Sequence, residues 1–520
     1  MHWLTHDRLI DRLPGQSERI TGSRQLPGAA WAATWPTPVP RPRIVATDRV
    51  HLEELGIRSA LCEDPGFAKV MGGSALYAGM QPWAHNYGGH QFGHWAGQLG
   101  DGRALSLGDL GGRHAQRWEI QLKGAGPTPF SRSGDGRAVL RSSIREFIAS
   151  RAMHGLGVPT TRAPLLLTTG EDVLRDRFYD GHPEHEPGAI VVRSAPSFLR
   201  FGSLQLPASR GESTLVQSIV DLAIDRHFPH LSGKSERVIA FFEAVAVATA
   251  DLVCHWQRVG FVHAVLNTDN LHLGGLTIDY GPFAWMEAFD PDYTPNTSDS
   301  AGRRYRFGAQ PAMVRWNLVA LAQALAPLVQ DTAALAEGLS TFDRHLAATR
   351  QRDAGAKLGL APGDTTNALF RRWEELMHSA ALDMTLAWRS LGRVHAGSRS
   401  GLMPSLLLAD AVTDPEALSR NLVPLSQWLA DYRACLASEA REPTERRAAM
   451  EAVNPWFVPR NWLLQQAIDA ALQDDWRPVE RLSQAAAAPY REDAAFADLV
   501  APCPPHLKEH PGCCRLSCSS

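Results

Sequence analysis

The spacing of apolar residues changes character near residue 210, and that change narrows the architectures open to this 520-residue chain. Before it, residues 86–136 are glycine-rich and punctuated by turn pairs such as Gly88-Gly89, Asp101-Gly102 and Asp135-Gly136, which predicts short strands and hairpins. Trp118, Ile120 and Leu122 alternate with Glu119, Gln121 and Lys123, the period of a half-buried strand. Val139, Leu140, Ile144, Phe147, Ile148 and Met153 then recur at helical spacing until Gly155 and Gly157, and strand-like runs return at 163–168 and 189–193. From Ser213 the pattern predicts long helices over 213–228, 235–259, 311–330, 332–350, 366–391, 416–440 and 460–473. Strands first and helices after predict an α+β, two-lobed arrangement with its ligand in the cleft. Residues 26–43, with five prolines, predict an extended arm on the surface.

Hydrophobic residues make up 44% of the chain, charged residues 21%, and the formal net charge is −3. Such a balance argues against a nucleic-acid coat or a membrane-surface binder. The most apolar stretch, 238–254, is interrupted by Glu243 and Asp251 and reads as a buried helix rather than a membrane span. The first residues lack the pattern of a secretory signal, and Cys62, Cys254 and Cys435 are scattered, so a reducing, cytoplasmic setting is expected. Only five of 52 basic residues are lysines, which makes each lysine worth inspecting.

Five constellations carry chemical potential. In Leu99-Gly100-Asp101-Gly102-Arg103, the glycines would let backbone amides approach an anion and Arg103 would clamp a phosphate oxygen; a plain Asp-Gly hairpin turn is the alternative. Lys123 ends a predicted strand and Glu146 lies on the following helix, a pairing that kinase-like folds use to hold lysine against phosphates; a silent surface ion pair is the alternative. In the segment from His263 to Gly281, Gly274-Gly275 predicts a two-residue hairpin that sets Asn270 opposite Asp279. An amide oxygen and a carboxylate so placed suit a hard divalent ion, with Asp269 on the other face free to act as a base; an Asx turn is the alternative. Arg193 and Arg200 bracket a turn from which both would reach a polyphosphate; each read singly is a surface salt bridge. The last 18 residues hold Cys503, Cys513, Cys514 and Cys518, compatible with zinc, a redox-labile pair or unpaired thiols at a disordered end.

The blocks NYGGHQFGHWAGQLGDGR (86–103), EIQLKGAGPTPFSRSGDGRAVLRSSIREF (119–147), VVRSAPSFLRFGS (191–203) and HAVLNTDNLHLGGLTIDYGPF (263–283) resemble the selenoprotein O family of kinase-like protein adenylyltransferases. WPTPVPRP (35–42), AKLGL (356–360), NPWFVPRN (454–461) and the terminal Cys-Ser-Ser extend the resemblance over most of the chain. It implies a protein-kinase-like two-lobed fold, with an N-terminal extension over 1–85, a β-rich nucleotide-binding lobe over 86–205, a helical lobe over 206–440 and a C-terminal extension over 441–520. It also implies ATP bound in reverse, its γ-phosphate buried, with AMP transferred to Ser, Thr or Tyr of a protein and pyrophosphate leaving. By the same resemblance, Gly100, Gly102, Arg103, Asp135, Gly136, Arg193 and Arg200 contact the nucleotide and Lys123, paired with Glu146, holds phosphates. Asp269 is then the proton acceptor, Asn270 a ligand of Mg²⁺ or Mn²⁺, and Asp279 a ligand of metal and nucleotide. Transfer of the γ-phosphate by a protein kinase, or a silent nucleotide-binding scaffold, are the competing functions; the full set of polar groups argues against the scaffold. Two departures stand out. Ala264 follows His263 where relatives usually carry glycine, and Thr294-Pro295-Asn296-Thr297-Ser298-Asp299 lacks the cysteine that pairs with the terminal one in some relatives. Cys518 therefore lacks that partner, and Cys513 and Cys514 are the candidates to substitute for it.

Overall fold

A computed structural model describes residues 3–6, 8–19, 22–113, 116–177, 180–397, 403–508, 510, 512–513 and 516–517. Among them the chain is mixed α/β, an antiparallel sheet followed by many helices. The sheet has eight strands in the order Trp31–Ala33, Trp83–His85, Ala104–Gly111, Arg117–Lys123, Glu184–Ala195, Arg162–Arg175 and Arg43–Thr47, with Ala138–Val139 also pairing Glu184–Ala195. Register sets Gln121 opposite Arg193 and Lys123 opposite Val191.

Alternation along Arg117–Lys123 was expected to divide core from solvent, but both faces are covered. Ile120 and Leu122 join Leu105, Leu165, Ile190 and Val192 in an apolar layer roofed by Leu52 and Phe67. Glu119 and Gln121, on the opposite face, are also buried. Their burial is tolerable because each is hydrogen-bonded: Glu119 takes His85 Nε2 at 2.6 Å and the Phe198 amide at 3.2 Å, and Gln121 donates to Asp101 at 2.9 Å. This polar layer faces the helical part of the chain, so the alternation marks the wall of an internal cleft.

The proline-rich stretch also departs from expectation. Trp31–Ala33 is a buried edge strand and Arg43 begins another, while residues 26–30 and 34–42, where proline removes donors, run without regular structure. The largest core cluster joins helix Leu140–Gly155 to Ser213–His227 and Arg237–Val259. Arg237–Val259 is long and apolar enough to cross a membrane, yet Phe241, Phe242, Val245, Leu252 and Trp256 are all buried within this cluster. The helix expected over 366–391 is two, Asp364–Ser379 and Met384–Ser390, because Ala381 adopts φ +47° and Asp383 caps the second by accepting the Leu386 amide. That expected over 416–440 is likewise split at Asn421 into Pro415–Arg420 and Leu422–Leu436.

Ala264 is buried with φ +65°, a left-handed conformation that favours glycine and costs an L-residue about 1 kcal/mol. Replacing Ala264 by Gly should therefore leave stability unchanged or raise it by up to about 1 kcal/mol in urea unfolding. A loss beyond about 1 kcal/mol would show that the methyl group contributes more packing than the backbone loses.

Candidate functional site

Between the sheet's polar face and the segment 263–283 lies a cavity of about 830 Å³. Gly100, Gly102, Arg103, Lys123, Asp135 and Gly136 line it from the sheet side. Arg193, on strand Glu184–Ala195 of the same sheet, and Arg200, Asp269, Asn270 and Asp279 complete the lining. Glu146 stands behind this wall, where helix Leu140–Gly155 brings it under Lys123.

The walls are built around ion pairs. Lys123 Nζ donates to Glu146 Oε2 at 2.6 Å, and Arg193 Nη1 reaches Glu146 Oε1 at 3.3 Å and Asp279 Oδ1 at 2.7 Å. Arg200 Nη1 donates to Asp279 Oδ2 and, at 2.8 Å, to the Asp269 carbonyl. Neither arginine is a surface residue, since each side chain is about 1–2% exposed. Burial alone would raise the Asp279 pKa, but Arg200, Arg193 and Lys123 hold it far below the usual carboxylate range. Its side chain remains 22% exposed. The Nε of both arginines is buried with no acceptor. Lys123, Arg193 and Arg200 thus converge on one wall of the cavity, a place for polyphosphate.

Asp269 sits in the opposite electrostatic condition. It is buried on the turn Thr268–Asn270, and burial pushes its carboxyl up to about 6, against the hydrogen bond from Gln91 and the charge of Arg200. Gln91 Nε2 donates to Oδ2 at 3.2 Å, whereas Oδ1 is buried without a partner. An unsatisfied carboxylate oxygen beside a cationic wall is equipped to take a proton from a hydroxyl group.

The predicted hairpin does not form. Its first arm pairs elsewhere, with the Leu273 amide bound to Leu199 O and the Phe201 amide to Leu271 O, and its second arm pairs Thr277 with Pro159 and Thr161. Gly275, at φ +68°, closes a turn onto His272 O instead of a two-stranded ladder. Backbone groups of two connections, residues 159–161 from helix to sheet and 199–201 from sheet to helix, thus outcompete the local partner. Asn270 and Asp279 still line the same cavity, Asp279 by adopting φ +57°. Asn270 Nδ2 donates to Val265 O at 2.9 Å, which leaves Oδ1 as its acceptor. Oxygen-only donors of this kind fit a hard divalent ion that also holds phosphate oxygens. Among the described residues no group of three or more His, Cys, Asp or Glu is arranged to hold a metal, so the described part of the C-terminal tail forms no zinc site. Cys514 and Cys518 lie outside the described residues. Cys503 is buried, and burial pushes its thiol up to about 12, unlike a redox-reactive cysteine.

The glycine-rich loop is more than a turn. Gly100 has φ +72°, and a Cβ there would lie 2.3 Å from the Phe130 ring. Asp101 is buried and accepts from Tyr87 Oη at 3.1 Å, Gln121 Nε2 at 2.9 Å and Arg200 Nη2 at 3.4 Å. Asp135 is held differently, in a two-point pair with Arg175 at 2.7 Å. Sequence reasoning passed over Asp101, Gln121 and Gln91. The alternation at 119–123 signalled the buried polar face to which Gln121 belongs, but a glycine-punctuated segment offers no period that would single out Gln91.

The family model "Protein adenylyltransferase SelO" matches residues 25–487. A protein of Xanthomonas euvesicatoria pv. vesicatoria (strain 85-10) named "Protein nucleotidyltransferase YdiU" is 51% identical over 517 residues, 99% of each chain. Proteins of the same name from Xanthomonas oryzae pv. oryzae (strain MAFF 311018) and Xanthomonas axonopodis pv. citri (strain 306) are 51% and 50% identical, over 99% and 100% of each chain.

The ion network supports a double-mutant test. Arg200→Met leaves Asp279 and Asp101 short of a buried cation and should destabilise by about 3–5 kcal/mol. Adding Asp279→Asn should return part of that loss, which equilibrium unfolding of the two single variants and the double would measure. Strict additivity would contradict a direct interaction.

Proposed function

The chain belongs to the protein adenylyltransferase SelO family, and from that premise we propose that it transfers AMP from ATP to Ser, Thr or Tyr hydroxyls of protein substrates. The proposal includes a protein-kinase-like two-lobed frame, with a β-rich lobe over 86–205, a helical lobe over 206–440 and extensions over 1–85 and 441–520. It also includes a cytoplasmic setting, supported by the scattered cysteines 62, 254 and 435. One observation carries the chemistry: the buried, unpartnered Asp269 Oδ1 shares a cavity with Lys123, Arg193 and Arg200.

The β- and γ-phosphates of ATP lie against Lys123, Arg193 and Arg200, and the α-phosphate faces Asp269. Asp269 Oδ1 accepts the proton of the incoming hydroxyl while its oxygen bonds to the α-phosphorus. The bond from that phosphorus to the bridging oxygen breaks, and pyrophosphate leaves with the electron pair. The cationic wall neutralises charge that grows on the leaving group, and because Glu146, Asp279 and Asp101 fix it in advance, little reorganisation is required. Asn270 Oδ1 and the Asp279 carboxylate would hold Mg²⁺ or Mn²⁺, which when bound supplies further neutralisation of phosphate charge. Gly100, Gly102, Arg103, Asp135 and Gly136 complete the nucleotide walls.

Incubation with Mg²⁺ and ATP labelled at either the α- or the γ-position separates the functions. Label retained on protein from the α-position is expected; retention from the γ-position alone would make the protein a kinase, and retention of neither, with ATP bound, a scaffold. Asp269→Asn should keep ATP affinity within about threefold by isothermal titration while lowering transfer by at least about a hundredfold. Equal losses of binding and transfer would remove Asp269 from the role of base.

A further inference from the structure

A small hairpin projects over the mouth of the cavity, and its turn is built against backbone preference. Strands Gly88–Gln91 and His94–Gln98 are joined through Phe92 at φ +51° and Gly93 at φ +89°. Two successive left-handed residues suit a tight hairpin turn, but asparagine or glycine ordinarily fills the first position. Phenylalanine there costs about 1–2 kcal/mol and is rare for a bulky side chain. Core burial does not compensate, because Phe92 is 36% exposed and rests against Tyr305 at a ring separation of 5.2 Å. Trp95, on the same hairpin, is 40% exposed.

The turn is nonetheless held firmly, and held to the reacting centre. The Phe92 amide donates to Asn267 Oδ1 at 3.1 Å and to Tyr305 Oη at 3.0 Å, the His90 amide to Thr268 Oγ1 at 2.7 Å, and Gln91 to Asp269. Gly89 approaches so closely that a Cβ on it would lie 2.6 Å from Asp269 Oδ1. The base loop thus carries an exposed aromatic ring at a fixed offset, and strain of this kind concentrates where a site needs a particular group in a particular place. The surrounding rim is basic: exposed Arg132 lines the same cavity at φ +54°, and the Arg304 guanidinium lies beside Gly93.

We propose that the turn Gln91–His94 is the platform on which the protein acceptor lies, with Phe92 contacting the residue next to the modified hydroxyl. The occupant is an extended segment of the acceptor protein, with an apolar or aromatic residue beside its Ser, Thr or Tyr and acidic residues further out toward Arg132 and Arg304. The platform is continuous with the cavity that holds the nucleotide, so a segment bound there delivers its hydroxyl to Asp269. This inference rests on the AMP-transfer reading, for which it names the acceptor's chemistry.

The test is a positional array of synthetic Ser, Thr and Tyr peptides, incubated with Mg²⁺ and α-labelled ATP. The protein should label peptides with Leu, Phe or Trp beside the hydroxyl about tenfold or more over those with Gly or Asp there. Phe92→Gly, which relieves the strained backbone, should unfold no earlier than the parent and bind ATP within about twofold. It should nevertheless lose the preference through a raised KM, and Phe92→Tyr should restore it. An array without that preference, an unlabelled array, or a preference that survives in Phe92→Gly overturns the platform. An array that is labelled leaves the AMP-transfer reading standing in either case; with an unlabelled array, transfer of the α-label to whole proteins leaves it standing and its absence overturns both.

Discussion

The carboxylate of Asp279 meets two guanidinium groups, one from strand Glu184–Ala195 and one from the start of helix Phe201–Ser209. Removing two arginines from water is costly, several kcal/mol for each ion, unless charge and hydrogen bonds replace the solvent. Asp279 supplies part of the replacement, Glu146 and Gln121 add to it for Arg193, and Asp101 and the Asp269 carbonyl add to it for Arg200. These partners come from the glycine-rich loop, the central strand, helix Leu140–Gly155 and the segment after His263. One buried network therefore fixes the relative positions of all four, and the cavity is the space it leaves among them.

The network also divides labour between two carboxylates ten residues apart. Asp279 is surrounded by cations and held ionised far below its usual range, while Asp269 is buried with a single hydrogen-bonded oxygen and pushed up to about 6. Divergent environments of this sort separate a charge-holding ligand from a proton acceptor. Part of the backbone strain shares this geography. Phe92, Arg132 and Asp279, all non-glycine residues at positive φ, line the cavity, and Ala264 lies one residue before its lining residue Val265.

Local pattern made much of this legible. The pairing of Lys123 with Glu146 follows from a strand that ends in lysine and a helix whose apolar face points to the sheet, and helices 213–227 and 237–259 follow from their period. What escaped depends on contacts remote in sequence. The register argument at Gly274-Gly275 assumed that each arm would pair with the other, whereas residues 159–161 and 199–201 provide the actual partners. Alternation at 119–123 identified two faces but not what each meets, since a polar face against solvent and one against buried arginines read alike. Gln91 and Asp101 carry no pattern of their own; they matter because a hairpin and a bend bring them beside Asp269 and Arg200.

The central claim is that the cationic wall receives the leaving pyrophosphate while Asp269 activates a hydroxyl at the α-phosphorus. Phosphorus NMR of protein, Mg²⁺, ATP and an acceptor protein follows the fate of every phosphorus at once. The account predicts that the α-phosphorus becomes a phosphodiester on protein as pyrophosphate appears in equal amount. ADP accumulating with a phosphomonoester on the acceptor would contradict it.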